Sequence, residues 1–442
     1  MKNPSPCSHP IATPSLSRRR FMQGMGAALA AGASSSLLAD GPRQDVVLLT
    51  SYPDAVVSRF EAAFERAHPE YRLRVVWRMP HDMPALLAEP GQGGVDVVWT
   101  ASPRLFAQLA AEGALQPLGI PLEGLPERVG GCPLRDEGRM YIATELAGYG
   151  FAVNPAYLAA RGLRAPADWV DLADPVYAGH LVLPDPQQVG FAPLMLDIPL
   201  QAYGWEAGWA LWSAIVGNGR LLGRGGTSIA DEVGAGRSGV GLSMDFFVAA
   251  ARANGAPLDF VYPRQGGLNP GHGAVTASAP HPEGARALMS LLLSVPGQAL
   301  LLHPDIRKLP VRPAVYGGSG VPSPFAQAGQ GGYRFETLRG QARAPLLSAA
   351  FAQALGRPAV RLQQLWRALH QADGAVWMSV APLLGAAPFK AGDAEDPALQ
   401  QVFAERRRSA RHEQQAQAWE QDWAARVNAR LAQAAALLGV PA

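Results

Sequence analysis

The sequence is poor in cysteine, in charge and in long apolar runs, and each shortage excludes something. Of 442 residues only Cys7 and Cys132 are cysteines. They have neither metal-ligand spacing nor CxxC spacing, so neither zinc nor thiol redox chemistry is expected. Charged residues make up 17% and the net charge is +2, which calls for no nucleic-acid partner. The apolar run from Met25 to Ala39, rich in Gly, Ala and Ser, is too short and too polar for a permanent membrane span. The nine histidines are scattered, with no His pair or carboxylate cluster at metal spacing. G-x-S-x-G, HExxH, a phosphate-binding P-loop and a complete GxGxxG are all missing. Gly24-x-Gly26 lacks a third glycine. His272, in NPGHGAV, is the one lone histidine worth naming as a catalytic candidate; it also suits a hinge-crossing segment. No cofactor is implied.

What is present begins with an export signal. Ser17-Arg18-Arg19-Arg20-Phe21-Met22 looks like the twin-arginine motif S-R-R-x-F-(L/M), followed by the weakly apolar run. Cleavage after Ala33 or after Ala39 fits a small-residue rule. No cysteine follows that run, so a lipid anchor is not indicated, and Cys132 becomes a lone, buried thiol in an oxidising compartment. The expected location is the periplasm, reached in folded form.

With 48% hydrophobic residues the remainder is globular and long enough for two domains and an appendage. Gln44 to Thr50, Arg72 to Arg78 and Val95 to Thr100 read as strands, with helices between them. Alternation of strand and helix predicts βαβ units and a mostly parallel sheet. Ser51, Tyr52, Thr100 and Ser102 fall at the strand tips, with Ser102 as N-cap and Pro103 at the first helical position. Leu115 to Glu137 reads as a loop. Met140 to Leu146 and Gly150 to Asn154 read as two extended segments leaving this first unit.

A second α/β unit starts at Pro155. It contains a short helix from Pro166 to Asp174, a strand from His180 to Pro184, and helices from Gly190 to Tyr203 and Trp205 to Val216. Arg220 to Gly223 leads to Arg224-Gly225-Gly226-Thr227-Ser228 and a helix from Ile229. Val240, Leu242 and Met244 alternate with small residues as a buried strand, and Asp245 caps a helix from Phe246 to Asn254. Asn269 to Ser278 returns to the first unit, and His281 to Leu302 is helical, divided at Pro296-Gly297. The order is thus lobe, lobe, lobe with two crossings, an arrangement that hinges around a cleft. In open α/β sheets ligands sit at the carboxyl ends of strands. The boundaries are 1–39 for the signal, 40–145 with 271–323 for lobe one, 146–270 for lobe two, and 324–442 for a helical extension. In the extension Gln327 to Gly332 reads as a flexible connector, and Ala344 to Leu355 and Arg361 to Gln371 as helices. The last helix places Trp419, Trp423, Val427, Leu431 and Leu438 on one stripe that suits packing against a lobe.

Six motifs in one order then give a resemblance. They are Asp96-Val97-Val98-Trp99-Thr100-Ala101-Ser102-Pro103, Gly148 to Asn154 (GYGFAVN), Asp168 to His180 (DWVDLADPVYAGH), Leu183-Pro184-Asp185-Pro186, Ser243-Met244-Asp245-Phe246-Phe247 and Pro304 to Pro313 (PDIRKLPVRP). Residues 44 to 370 resemble the extracellular solute-binding proteins of ABC transporters, in the branch holding ferric-ion, hexose-phosphate and phosphoglycerate-type binding proteins. The resemblance implies an α/β chain with the type II periplasmic-binding-protein fold, two lobes around a hinged cleft. It further implies a monomer that delivers solute to ABC permease subunits in the inner membrane; no enzyme is expected, and a periplasmic enzyme is the alternative of another class, since twin-arginine export often serves cofactor enzymes. Phosphoglycerate-type relatives are associated with two-component sensing, so a membrane sensor kinase is a second partner to consider.

Ferric-binding relatives carry two adjacent tyrosines where Phe246-Phe247 stands here, and phenylalanine offers a hard cation no oxygen. The expected cargo is a small organic anion: a phosphorylated sugar, a phosphoglycerate or a carboxylate. Ser51, Thr100, Ser102, Thr227 and Ser228 supply hydroxyls at strand ends and helix starts, where free N–H groups favour anions. Gly190 opens a helix, and Arg224 adds a charged donor. Asp245 can accept from sugar hydroxyls, and Tyr52, Trp99 and Phe246 can cover a ring face. The relatives usually have Ser-Gly-Thr where this chain has Val189-Gly190-Phe191, which makes the lobe-two side more apolar. An organic cation such as a polyamine therefore stays an alternative, with Tyr52, Trp99, Phe191 and Phe246 as an aromatic wall and Asp245 as counter-charge.

Overall fold

The computed structural model describes residues 43–223, 228–304 and 306–441. Residues 42–442 form one compact unit. The export signal, Arg224 and Thr227 lie outside the described residues.

Thirteen strands are described, β1 (Gln44–Thr50), β2 (Tyr71–Trp77), β3 (Val97–Thr100), β4 (Leu115–Gln116), β5 (Arg128–Val129), β6 (Cys132–Pro133), β7 (Tyr141–Val153), β8 (Leu181–Pro184), β9 (Gly219–Leu222), β10 (Val240–Met244), β11 (Asp259–Val261), β12 (Leu268–Thr276) and β13 (Leu309–Pro310). Eleven of them join one sheet, ordered β2-β1-β3-β12-β7-β10-β8-β9 along its main path. β1 runs parallel to β2 and β3, and β8 runs parallel to β9 and β10. Between these parallel halves, β12 and β7 pair antiparallel. β7 carries both halves: Tyr141 to Gly148 pairs with β12, and Tyr149 to Val153 pairs with β10.

The two expected crossing segments are therefore one unbroken strand. All of its thirteen residues are buried, so the glycines at 148 and 150 do not break it. Each is instead crowded by an aromatic ring, Tyr262 at Gly148 and Phe260 at Gly150. Close approach of a ring to backbone is one reason for glycine inside a strand.

Two cores lie along this sheet. The first lobe buries Val46, Leu48, Phe60, Trp99, Ile142 and Leu288 on one face and Leu49, Val98, Phe106 and Ala274 on the other. The second lobe buries Phe151, Trp169, Met195, Trp212 and Leu242 in a cluster that continues into Phe351, Trp366, Phe389 and Trp423. The C-terminal helices thus share a core with lobe two. Polar contacts seal this join: Arg343 donates to Asp197 at 2.8 Å, Ser213 to the Leu384 carbonyl at 2.7 Å, and Trp205 to the Phe389 carbonyl at 2.8 Å. On the last helix, Ala410–Leu438, Trp423, Val427 and Leu431 are fully inside.

Some local readings differ. Gln327 to Gly332 is not merely a connector, because Pro324–Gly329 forms a helix that starts on Pro324 and sets Phe325 against Tyr316. The stretch from Pro166 to Asp174 holds only a 3-10 turn, Trp169–Ala173, fixed by reciprocal capping between Asp168 and Asp171. A helix over Gly374–Gly385 is absent from the sequence reading. It is apolar all round and contains Pro382, so it shows no helical periodicity, yet Asp373 caps it through the Ala375 and Val376 N–H groups.

Candidate functional site

The site forms where β1, β3 and β10 end beside the crossing strand β7. β1 and β3 are neighbours, so the residues at their ends meet: Ser51 Oγ lies 2.5 Å from Thr100 Oγ1. The Tyr52 ring packs edge-on against Trp99 at 4.8 Å. Ser102 stands at the start of the helix Pro103–Ala111, where its hydroxyl makes no capping hydrogen bond. From lobe two, the helix Asp245–Ala253 follows β10 directly. Its Phe246 and Phe247 ring centres lie 4.2 Å apart with the planes tilted by 44°, and Phe247 reaches Phe191 at 5.9 Å. Gly190, just before that ring, is exposed, with open space beside its α-carbon.

Asp245 is the first residue of its helix and not the expected N-cap, which is Met244. One carboxylate oxygen accepts the Phe246 N–H at 2.7 Å; the other accepts the Gly148 N–H of β7 at 2.8 Å and the Tyr262 hydroxyl at 3.0 Å. Burial pushes its pKa up to about 6, although these three donors and the nearby Lys308 charge pull it down. The same burial, with the Asp245 charge, drives the Tyr262 phenol upward.

Glu145, on β7, is completely buried. It accepts from the Tyr52 and Thr144 hydroxyls and from Trp99 Nε1 at 3.1 Å. Lys308 Nζ approaches it to 3.7 Å. Burial and the Glu145 charge raise the Tyr52 phenol well above its ordinary range. Gly271 of β12 closes over this cluster, since a Cβ there would strike both the Glu145 carboxylate and the Tyr52 hydroxyl.

Beside these groups opens a cavity of about 570 Å³. Lobe two contributes Asp245, Arg252, Phe260 and Tyr262, and the segment around β13 contributes Arg307 and Lys308. Arg252 has Asp259 at 3.6 Å, an exposed pair; Arg307 has no ion-pair partner among the described residues. Three cations therefore face one lining carboxylate.

The structure brings Ser51, Tyr52, Trp99 and Thr100 together in lobe one, and Gly190, Asp245 and Phe246 are tied through Phe191 and Phe247 in lobe two. Lys308 joins the two groups. Of the expected residues that the structure describes, only Asp245 lines the cavity itself. Ser228 begins a separate seven-residue helix, Ser228–Gly234, too short to serve as an anion site by its N-terminus. Two expectations are corrected, for Trp99 and for Thr100. Trp99 offers no ring face to a ligand, because every residue of β3 is buried on both sheet faces and its indole N–H is spent on Thr144 and Glu145. Thr100 is likewise fully buried, with its hydroxyl turned to Ser51.

The sequence reading missed Glu145, Arg252, Tyr262, Arg307 and Lys308. Glu145 carried a signal as the one charged residue in the run YIATELAGYGFAV. Arg307 and Lys308 lay inside a motif used only for the resemblance. His272 is buried between the Phe106 and Tyr141 rings, and burial depresses its pKa to about 3. It faces lobe-one packing, not this cavity. Among the described residues no group of three or more His, Cys, Asp or Glu side chains could hold a metal ion, and no helix is long and apolar enough to cross a membrane.

The profile of the bacterial extracellular solute-binding protein family matches residues 94–315. The phosphoglycerate transport regulatory protein PgtC of Salmonella typhimurium is 28% identical over 363 residues, covering 80% of this chain and 88% of PgtC. The periplasmic binding protein AfuA from Actinobacillus pleuropneumoniae, solved with exogenous fructose-6-phosphate bound, superposes with a TM-score of 0.52 at 18% identity, over 70% of this chain and 98% of AfuA. The Bordetella ferric binding protein gives a TM-score of 0.53 at 21% identity, over 68% of this chain and 99% of its own. These structures establish the type II periplasmic-binding fold, here with a helical C-terminal region. The chain belongs to the bacterial extracellular solute-binding proteins, as a periplasmic solute-binding protein of the ABC transporter type.

Proposed function

We propose that the protein captures a small organic anion between its lobes and hands it to ABC permease subunits. The observation that carries this reading is the lining of the interlobe cavity, where Arg252, Arg307 and Lys308 outnumber the single carboxylate of Asp245. Such a cavity attracts phosphate or carboxylate groups and repels free cations. Asp245 and Tyr262 suit the hydroxyls of a phosphorylated sugar or phosphoglycerate. Ser51, Tyr52, Ser102, Gly190 and Phe246 form the rest of the proposed ligand surface. The fructose-6-phosphate held by AfuA and the phosphoglycerate in the name of PgtC point the same way. Ferric iron lacks support, since Phe246 and Phe247 supply no oxygen.

In this reading the chain is monomeric and exported by the twin-arginine route. Residues 40–145 with 271–323 move as one lobe, and 146–270 as the other. A thermal-shift panel on the mature protein in phosphate-free buffer tests the cargo. Sugar phosphates, phosphoglycerates and di- and tricarboxylates should stabilise it by about 2.7 kcal/mol at a hundred times their dissociation constants. A response to polyamines or ferric citrate alone would sink the anion reading.

A second reading is favoured by the regulatory role in the name of PgtC. The ligand-loaded protein would then signal to a membrane sensor kinase. Ligand-dependent autophosphorylation of such a kinase, reconstituted in vesicles with and without this protein, checks it.

A further inference from the structure

Lys308 is a buried lysine, 9% exposed, between two lobes. Its Nζ lies 4.4 Å from the centre of the Tyr52 ring and 5.5 Å from that of Phe246. It stands 3.7 Å from Glu145 Oε1, and Asp245 feels its charge. Those four residues come from different places in the chain. Tyr52 follows β1, Glu145 sits in the crossing strand β7, and Asp245 and Phe246 open the helix after β10. Two buried carboxylates and two aromatic faces are the surroundings that recognise an organic ammonium, through charge and through cation–π attraction.

We infer that Tyr52, Glu145, Asp245 and Phe246 form an ammonium site that the chain fills with its own Lys308, and that this tethered cation sets the cleft's preference for anions. Tethering gives the ammonium a high effective concentration that free cations must overcome. The carboxylates that could hold a polyamine or a metal ion are therefore already matched. What remains for cargo is the positive side of the cavity, Arg252 and Arg307. The preference for anions rests on the proposed function; the ammonium site does not.

The test removes the cation and offers it back. Lys308→Ala deletes three carbons and the ammonium, a gap the size of n-propylammonium. Titration with n-propylammonium should raise the Tm of Lys308→Ala by several degrees, saturably, and leave the wild-type Tm unchanged. n-Propanol, of equal bulk and no charge, should do much less. No rise with the amine, or an equal rise with the alcohol, would overturn the site. Should Lys308→Ala not fold unaided, refolding yield becomes the readout: recovery with the amine and not with sodium chloride supports the site, and equal yields overturn it. Lys308→Ala should also gain a Tm response to spermidine that the wild type lacks; an unchanged response overturns the link to selectivity. A wild-type protein that binds no anion, alongside successful amine rescue, would end the proposed function and leave the ammonium site standing.

Discussion

Asp245 accepts the Gly148 N–H at 2.8 Å, so the first residue of a lobe-two helix is fastened to the strand that runs from one lobe into the other. Tyr262 adds a second tie to the same oxygen from the segment that leads back towards lobe one. A carboxylate in this position links the helix to the crossing strand.

The protonation of Asp245 gives a pH signature. Its pKa rises from an ordinary 3.8 to about 6 on folding. A raised carboxyl binds its proton more tightly in the native state, so the stabilisation is complete below about pH 4 and is lost as pH rises through 6. Its ceiling is about 3 kcal/mol, from 1.36 kcal/mol per unit. Urea unfolding of the wild type and Asp245→Asn at pH 4 and pH 7 should show the wild type losing about 2–3 kcal/mol relative to the variant. A stability difference independent of pH would mean that Asp245 ionises freely in the folded protein.

Glu145 tests the polar core of the crossing. Glu145→Ala leaves the Lys308 ammonium without its carboxylate partner, and Trp99 and Tyr52 lose an acceptor. Removing one partner from a buried ion pair costs about 3–5 kcal/mol. Chemical denaturation should show a loss of that size. A loss below about 1 kcal/mol would indicate that water reaches Lys308 and replaces the carboxylate.

Arg252 and Arg307 separate ligand binding from stability. Both line the cavity, and neither belongs to a hydrophobic core. Arg252→Ser and Arg307→Ser should each weaken anion binding by more than tenfold, about 1.4 kcal/mol, in isothermal titration, with the Tm shifted little. Added salt should weaken the wild type more than either variant, because screening acts on exposed charges. Equal affinity in all three proteins would move the anion away from this cavity.

Much of this architecture was legible in the chain, for physical reasons that also mark the limits. β1, β3 and β10 announce themselves because alternating or continuous apolar runs end in turn-forming polar residues, and that placed Ser51, Thr100 and Asp245 at strand tips. Burial of individual residues was less legible. Trp99 is the next-to-last residue of β3 and Ser51 the first after β1, yet Trp99 is sealed beneath Tyr52 and Ser51 is half-buried. Only the packing of the helices on β3 decides that. Lys308 escaped notice because its role depends on Tyr52, Glu145 and Phe246, which lie 256, 163 and 62 residues earlier. No local pattern carries such a contact.

The C-terminal helices supply the last expectation. The Trp423 indole is wholly buried, stacked between Phe389 at 5.0 Å and Phe403 at 5.5 Å. Those rings belong to the same core as Trp212 and Met195 of lobe two. A chain ending before Thr337 would therefore strip apolar cover from helices Ala192–Tyr203 and Trp205–Asn218, and leave Asp197 buried or half-buried without Arg343. Exposed apolar patches of that extent drive association. The truncated protein should be recovered as aggregate by size-exclusion chromatography. Trp423→Ala in the full chain should lose about 3–5 kcal/mol. A soluble, monomeric truncation that still binds ligand would show that lobe two folds without this layer, and that the helices serve an outward-facing role instead.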